Sequence, residues 1–180
     1  MDSTFHQSAA YAGLITRVAA YTIDIVLLFA GIAVSQGILR GINPLLNSTK
    51  PIAGRRLHLW VLTTVSLPIL LYFALCISSH SQATIGMRLL HIGVTSLGGT
   101  PIGFGWAVLR SLVMLIPFEL NHVVMFYPKP IWTDPKPGFR YGFLVTSALM
   151  IIYPTSIVVT QNHQSIHDLI AGTTVISRNN

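Results

Sequence analysis

Charge is what this sequence has least of. Among 180 residues there are eleven Lys or Arg and five Asp or Glu, 9% of the chain, where a soluble domain carries about 25%. So few charges cannot cover a water-soluble fold of this size, and 52% hydrophobic letters leave no room for disorder. A soluble globular enzyme is not expected; the chain needs a lipid bilayer as its first partner. Cysteine is nearly absent too. The lone Cys76 allows no intramolecular disulfide, zinc cluster or CxxC redox pair. The net charge of +6 and pI near 9.9 would suit nucleic acid, but the basic residues sit between long apolar runs instead of forming a patch. Nucleic acid is therefore not expected as a partner.

What is present is apolar length, with a mean hydropathy of +0.63. A hydrocarbon core of about 30 Å takes roughly 20 apolar residues as a helix. Four segments reach that length, over residues 18–39, 57–77, 104–127 and 141–159, and thirteen of the sixteen charges lie outside them. The expected fold is an all-α membrane protein, a bundle of four transmembrane helices with a short amphipathic or hairpin segment between the second and third. It forms one domain over residues 1–180. The first apolar run, 22 residues, exceeds the roughly 7 to 15 of a secretory signal and is expected to be a retained span.

No internal repeat is visible. Four prolines and a glycine between Pro128 and Gly138 mark a stiff loop. Pro68, Pro117 and Pro154 fall inside spans, so kinks are expected where they free the carbonyls of Thr64, Val113 and Met150. Between the second and third spans, Gln82 to Val94 is too short and polar to cross the bilayer, and fits neither a clean helical nor a clean strand period. A short strand and an interfacial amphipathic helix with Arg88 toward headgroups both remain open.

Ionisable residues inside spans are costly, about 2.5 to 3.5 kcal/mol each, and point to functional sites. Asp24 stands in the first span. Arg17 is two turns away on the same face, about 10 Å along the axis, so the two need another group between them. In the third span Arg110 and Glu119 are nine residues apart and cannot pair along one helix. Glu119 has His122 one turn on, a pair able to pass protons. After the last span, His163 and His167 are spaced to share a helix face beside Asp168. That pattern is a weak metal-site signal without a third ligand or an HExxH glutamate, so no metal, no cofactor and no catalytic residue is expected. An enzyme would have to use these residues without an evident nucleophile.

Three stretches in order, AGLITRVAAYTID (Ala12 to Asp24), TIGMRLLHIGVTSLGGTPIGFGWAVLRS (Thr84 to Ser111) and QSIHDLIAGTTV (Gln164 to Val175), together resemble the RDD family of membrane proteins. The resemblance implies signature residues Arg17, Asp24 and Asp168, with Gly86, Arg88 and Arg110 in the central motif. Met87 stands where many members have a lysine. It also implies that Arg17, Arg88, Asp168 and Arg110 lie near one membrane face as an ion-pair network with Asp24 behind it. Both termini and the central loop would be cytoplasmic, in the plasma membrane of a bacterium. Counting Lys and Arg alone, seven in the first and third loops against four on the other side, places the termini outside.

The family is associated with transport, some members with sodium-proton exchange. By that resemblance Asp24 is the leading candidate to bind a monovalent cation or a proton, followed by Asp168 and Glu119. Arg17, Arg88 and Arg110 would act as charge partners, with Arg17 setting the carboxylate's pKa. Four kinked helices make a thin wall for a transport path, so a homodimer is expected. The competing expectation is a non-transporting assembly or regulatory subunit, in which the charges only fix helix register.

Overall fold

The computed structural model of the chain describes residues 10–42, 54–127, 129–136 and 138–178. Among the described residues, four helices are long and apolar enough to cross a membrane. The first is α1 (Leu14–Ile42). The second is continuous through α2 (Arg55–Val61), a π-helical turn at Leu62–Ser66 and α3 (Leu67–Ser78). A helical turn α4 (Ile85–Leu89) and a strand β1 (Ile92–Ser96) come next. The third span is α5 (Phe104–Phe126), the fourth α6 (Gly142–Val159), and the chain closes with α7 (Ile166–Ala171) and β2 (Thr173–Ser177). The four spans meet the expected all-α membrane architecture within a few residues at each end. Lys50, Pro128 and Pro137, used in the loop arguments, lie outside the described residues.

Local chemistry sets the ends of the two short helices. Thr84 caps α4, its hydroxyl accepting from the Met87 N–H at 3.2 Å. Ser165 and Asp168 form a reciprocal capping box on α7, which stops at Gly172 in the left-handed region, φ 60°. Pro68 enters the first turn of α3, and the Thr64 carbonyl it frees falls within the π turn. At Pro117, inside α5, the freed Val113 carbonyl accepts the Tyr153 hydroxyl of α6 at 2.8 Å. Arg140 closes the far end of α5: its Nη1 donates to the carbonyls of Val124, of Met125 at 3.2 Å and of Tyr127 at 2.6 Å.

The segment between the second and third spans is a helical turn followed by a strand, and its partner is not a neighbouring hairpin arm. β1 pairs antiparallel with β2 from the other end of the chain, Val94 opposite Val175. Contrary to the sequence reading, the order of elements repeats: two spans, a short helix and a strand occur twice, and the two strands join. The repeat escaped the sequence because lipid-facing positions accept any apolar residue and the two short helices carry different polar groups.

With four spans, both short helices and the strand pair lie at one end of the bundle, where Ala12 N–H also donates to the Val175 carbonyl at 2.9 Å. The buried apolar cluster gathers there, with Ala20, Phe73, Ile77, Met87, Val94, Ala107 and Val175. Along α1 the ordinary pattern is inverted. Its buried residues are Arg17, Ala20 and Asp24, a stripe at helical spacing, while Val26, Phe29 and Val34 face outward.

Candidate functional site

Two carboxylates are wholly enclosed near this end, and their surroundings differ. Asp168 sits between two arginines. Its Oδ2 accepts from Arg17 Nη1 at 2.7 Å, and its Oδ1 from Arg110 Nε at 2.8 Å. The side chains of all three are 1% exposed or less. The remaining carboxylate positions take the Thr173 hydroxyl and the Ser165 N–H, both at 3.2 Å. Arg17 also donates to the Ala12 carbonyl at 2.9 Å, and Arg110 Nη2 to the Tyr21 hydroxyl at 3.3 Å. The cluster thus ties α1, α5, α7 and β2 together. Burial opposes ionisation of Asp168, but Arg110 and Arg17 hold its carboxyl well below the usual range. His167, next to it, is buried, and among the described residues neither ring nitrogen has a hydrogen-bond partner. Burial, with the two guanidinium charges, pushes its pKa down to about 3.

Asp24 is 0% exposed and, among the described residues, meets no arginine. Its Oδ1 accepts from the Tyr72 hydroxyl at 2.6 Å and the Gly86 N–H at 2.8 Å, and its Oδ2 from the Thr84 hydroxyl at 2.5 Å. Both hydroxyls are aimed by backbone donors behind them: the Ile85 N–H reaches Tyr72 Oη at 3.1 Å and the Met87 N–H reaches Thr84 Oγ1 at 3.2 Å. Gly86 is required by space, because a Cβ there would collide with the Ala20 carbonyl. Small residues on both helices let the first turn of α4 come down onto the carboxylate.

The remaining candidates lie elsewhere. Arg88 is exposed and its Nε donates to the Ala83 carbonyl at 3.2 Å; it does not join the Arg17, Arg110 and Asp168 cluster. Arg17 is not the partner of Asp24, since Asp168 takes its guanidinium. Glu119 and His122 are partly exposed, with Oε1 and Nδ1 3.6 Å apart, farther along α5 from Arg110 by about 13 Å of rise. His163 precedes α7 at φ 48° and turns its Nδ1 to the Ile157 carbonyl at 3.0 Å, so it shares no helix face with His167. Among the described residues no group of three His, Cys, Asp or Glu is placed to hold a metal ion.

Apart from Tyr72, the residues gathered around both carboxylates come from the three sequence stretches, and a model of the RDD family matches residues 11–172. The chain belongs to the RDD family. No curated protein and no solved structure matches it. In this RDD protein the signature residues divide between two centres: Arg17 and Asp168, completed by Arg110, and Asp24, completed by Tyr72, Thr84 and Gly86. Sequence reasoning missed Tyr72, Thr84, Tyr21 and Thr173 as site residues. Ser165-x-x-Asp168 carried a legible helix-start signal, whereas nothing local marks Tyr72, which is one apolar-span aromatic among several.

Proposed function

We propose that this RDD protein is a transporter, not an enzyme, that exchanges a monovalent cation for a proton at Asp24. The observation that carries the reading is a fully buried carboxylate inside a span whose hydrogen bonds, among the described residues, come from neutral donors. With no fixed cation to neutralise it, such a group is stabilised by taking up a proton or a mobile cation, and the two compete. In the proton-bound state Asp24 donates to one of the two hydroxyls, which retain acceptor capacity. In the cation-bound state the carboxylate and the Tyr72 and Thr84 oxygens supply hard oxygen ligands. Asp168 is unsuited to this cycle, because two arginines keep it ionised and occupied. It serves as a structural anchor beside the exchange site. We place the protein in the plasma membrane of a bacterium, acting as a symmetric dimer that thickens the wall around the path.

The test is cation-driven proton movement in proteoliposomes containing the full chain. Exchange is expected with the native protein and with Glu119→Gln, and is expected to vanish in Asp24→Asn protein that still inserts. Absence of flux above empty liposomes for sodium, potassium and lithium would leave the non-transporting assembly subunit as the better description.

A further inference from the structure

Every donor to Asp24 either belongs to the first turn of α4 or is tied to it. The Gly86 N–H reaches Oδ1 at 2.8 Å and the Thr84 hydroxyl reaches Oδ2 at 2.5 Å, while Tyr72, the third donor, itself accepts the Ile85 N–H. The two ends of this segment are conformationally costly. Gln82 before α4 and His91 after it stand at φ 46° and 52°, a left-handed region that non-glycine residues keep only where their surroundings hold them. The other short helix, α7, has His163 before it at φ 48° but ends on Gly172 at φ 60°, and its Asp168 is clamped by two guanidinium groups. Of the two short helices, α4 is the one bent against residue preference at both ends and fastened through a carboxylate that meets only neutral donors among the described residues.

That fastening depends on the charge of Asp24. When a proton or cation loads the carboxylate, the Tyr72 and Thr84 hydroxyls can rotate and present their oxygens. The Gly86 N–H can only donate, so a load on Oδ1 displaces it. The ionisable groups on the elements around Asp24 are Arg17 and Tyr21 of α1, Tyr72 and Cys76 of α3, Arg88 of α4 and Arg110 of α5. Arg17 and Arg110 are committed to Asp168 and Arg88 Nε to the Ala83 carbonyl, so the charge that holds α4 is that of Asp24 itself. We propose that α4 is the gate of the exchange site: the bare carboxylate latches it through Gly86, and loading releases it. The inference rests on the exchange reading above and adds a coupling rule to it. An exchanger dissipates its gradient if the unloaded carrier changes state, and here the unloaded state is the latched one.

The readout is the rate at which a membrane-impermeant methanethiosulfonate reagent modifies Met87→Cys, a fully buried position on α4, in the full chain carrying Cys76→Ser, held in lipid nanodiscs at fixed pH and ionic strength. Modification is expected to be slow in choline chloride and about tenfold faster in the chloride of the exchanged ion, sodium, potassium or lithium, as the loss of one hydrogen bond to a charged acceptor implies. Adding Asp24→Asn, whose amide carries no charge, should make it fast in every salt. Thr84→Val, which keeps Asp24 and removes one hydroxyl, should speed modification in choline. Ala171→Cys, buried on α7, should respond to none of these changes. A Met87→Cys rate indifferent to both Asp24→Asn and Thr84→Val overturns the gate whatever the proteoliposomes show, and so does a rate indifferent to all three cations in protein that carries flux. Absence of flux together with a fast rate in Asp24→Asn overturns the exchange reading instead and leaves the latch standing.

Discussion

Asp168 and Asp24 are both sealed from solvent near the same end of the bundle, yet one is held by charge and the other by dipoles. Around Asp168, two guanidinium groups meet one carboxylate within hydrogen-bond distance. Around Asp24, two hydroxyls and one backbone N–H do the same work without any net charge. Burying a charge is tolerated in either way, but with opposite consequences. An ion-paired carboxylate is fixed in one protonation state and locks the elements that supply its partners. A carboxylate among neutral donors keeps the option of a second state, which is what an exchange site needs.

The comparison is broken most severely at the charged centre. Asp168→Asn leaves two buried arginines without a counter-charge and is expected to cost about 3 to 5 kcal/mol, seen as a large fall in the unfolding midpoint in detergent. Tyr72→Phe removes one donor from Asp24 and strands the Ile85 N–H behind it. A loss of about 1.5 to 3 kcal/mol is expected, seen as a lower unfolding midpoint in detergent. Gly86→Ala forces α4 away from the Ala20 backbone at an expected cost of about 1 to 3 kcal/mol; an unchanged midpoint would mean that α4 is not seated on α1 as described.

Acid sharpens the contrast further. The folded pKa of His167 lies at about 3, below its ordinary 6.5, so the unfolded chain takes up a proton there first. Stability should fall as pH drops from 6.5 toward 3, by at most about 1.4 kcal/mol per pH unit. Asp168, whose carboxyl is depressed from 3.8, adds its own loss only below that value, as pH descends toward its folded pKa. Thermal unfolding of His167→Gln against the native chain, from pH 7 to 4, isolates the histidine: the variant should lose less stability over that interval.

Much of the architecture was legible in the sequence because bilayer thickness imposes a length on each apolar run. Spans at residues 18–39, 57–77, 104–127 and 141–159 were readable for that reason, as were Asp24 and Arg110, whose charges are conspicuous against Leu, Val and Ile. The shared face of Arg17 and Asp24 followed from helical period alone. The partners did not. Whether Arg17 would turn to Asp24 or to Asp168 depends on where α7 docks, more than 140 positions away in the chain.

Tertiary structure alone decided that β1 joins β2 across the whole chain, that Arg88 stays outside the ion-pair cluster, and that Tyr72 and Thr84 converge on Asp24. The strand pairing and the convergence on Asp24 are long-range contacts selected by close approach of small residues and by the need to satisfy buried polar groups. Neither requirement leaves a period in the sequence. The chain's composition determined that it belongs in a membrane, and local capping at Ser165 and the proline positions shaped its helix ends. Which of its buried carboxylates is locked and which is left among neutral donors was settled only when the two short helices folded back onto the spans.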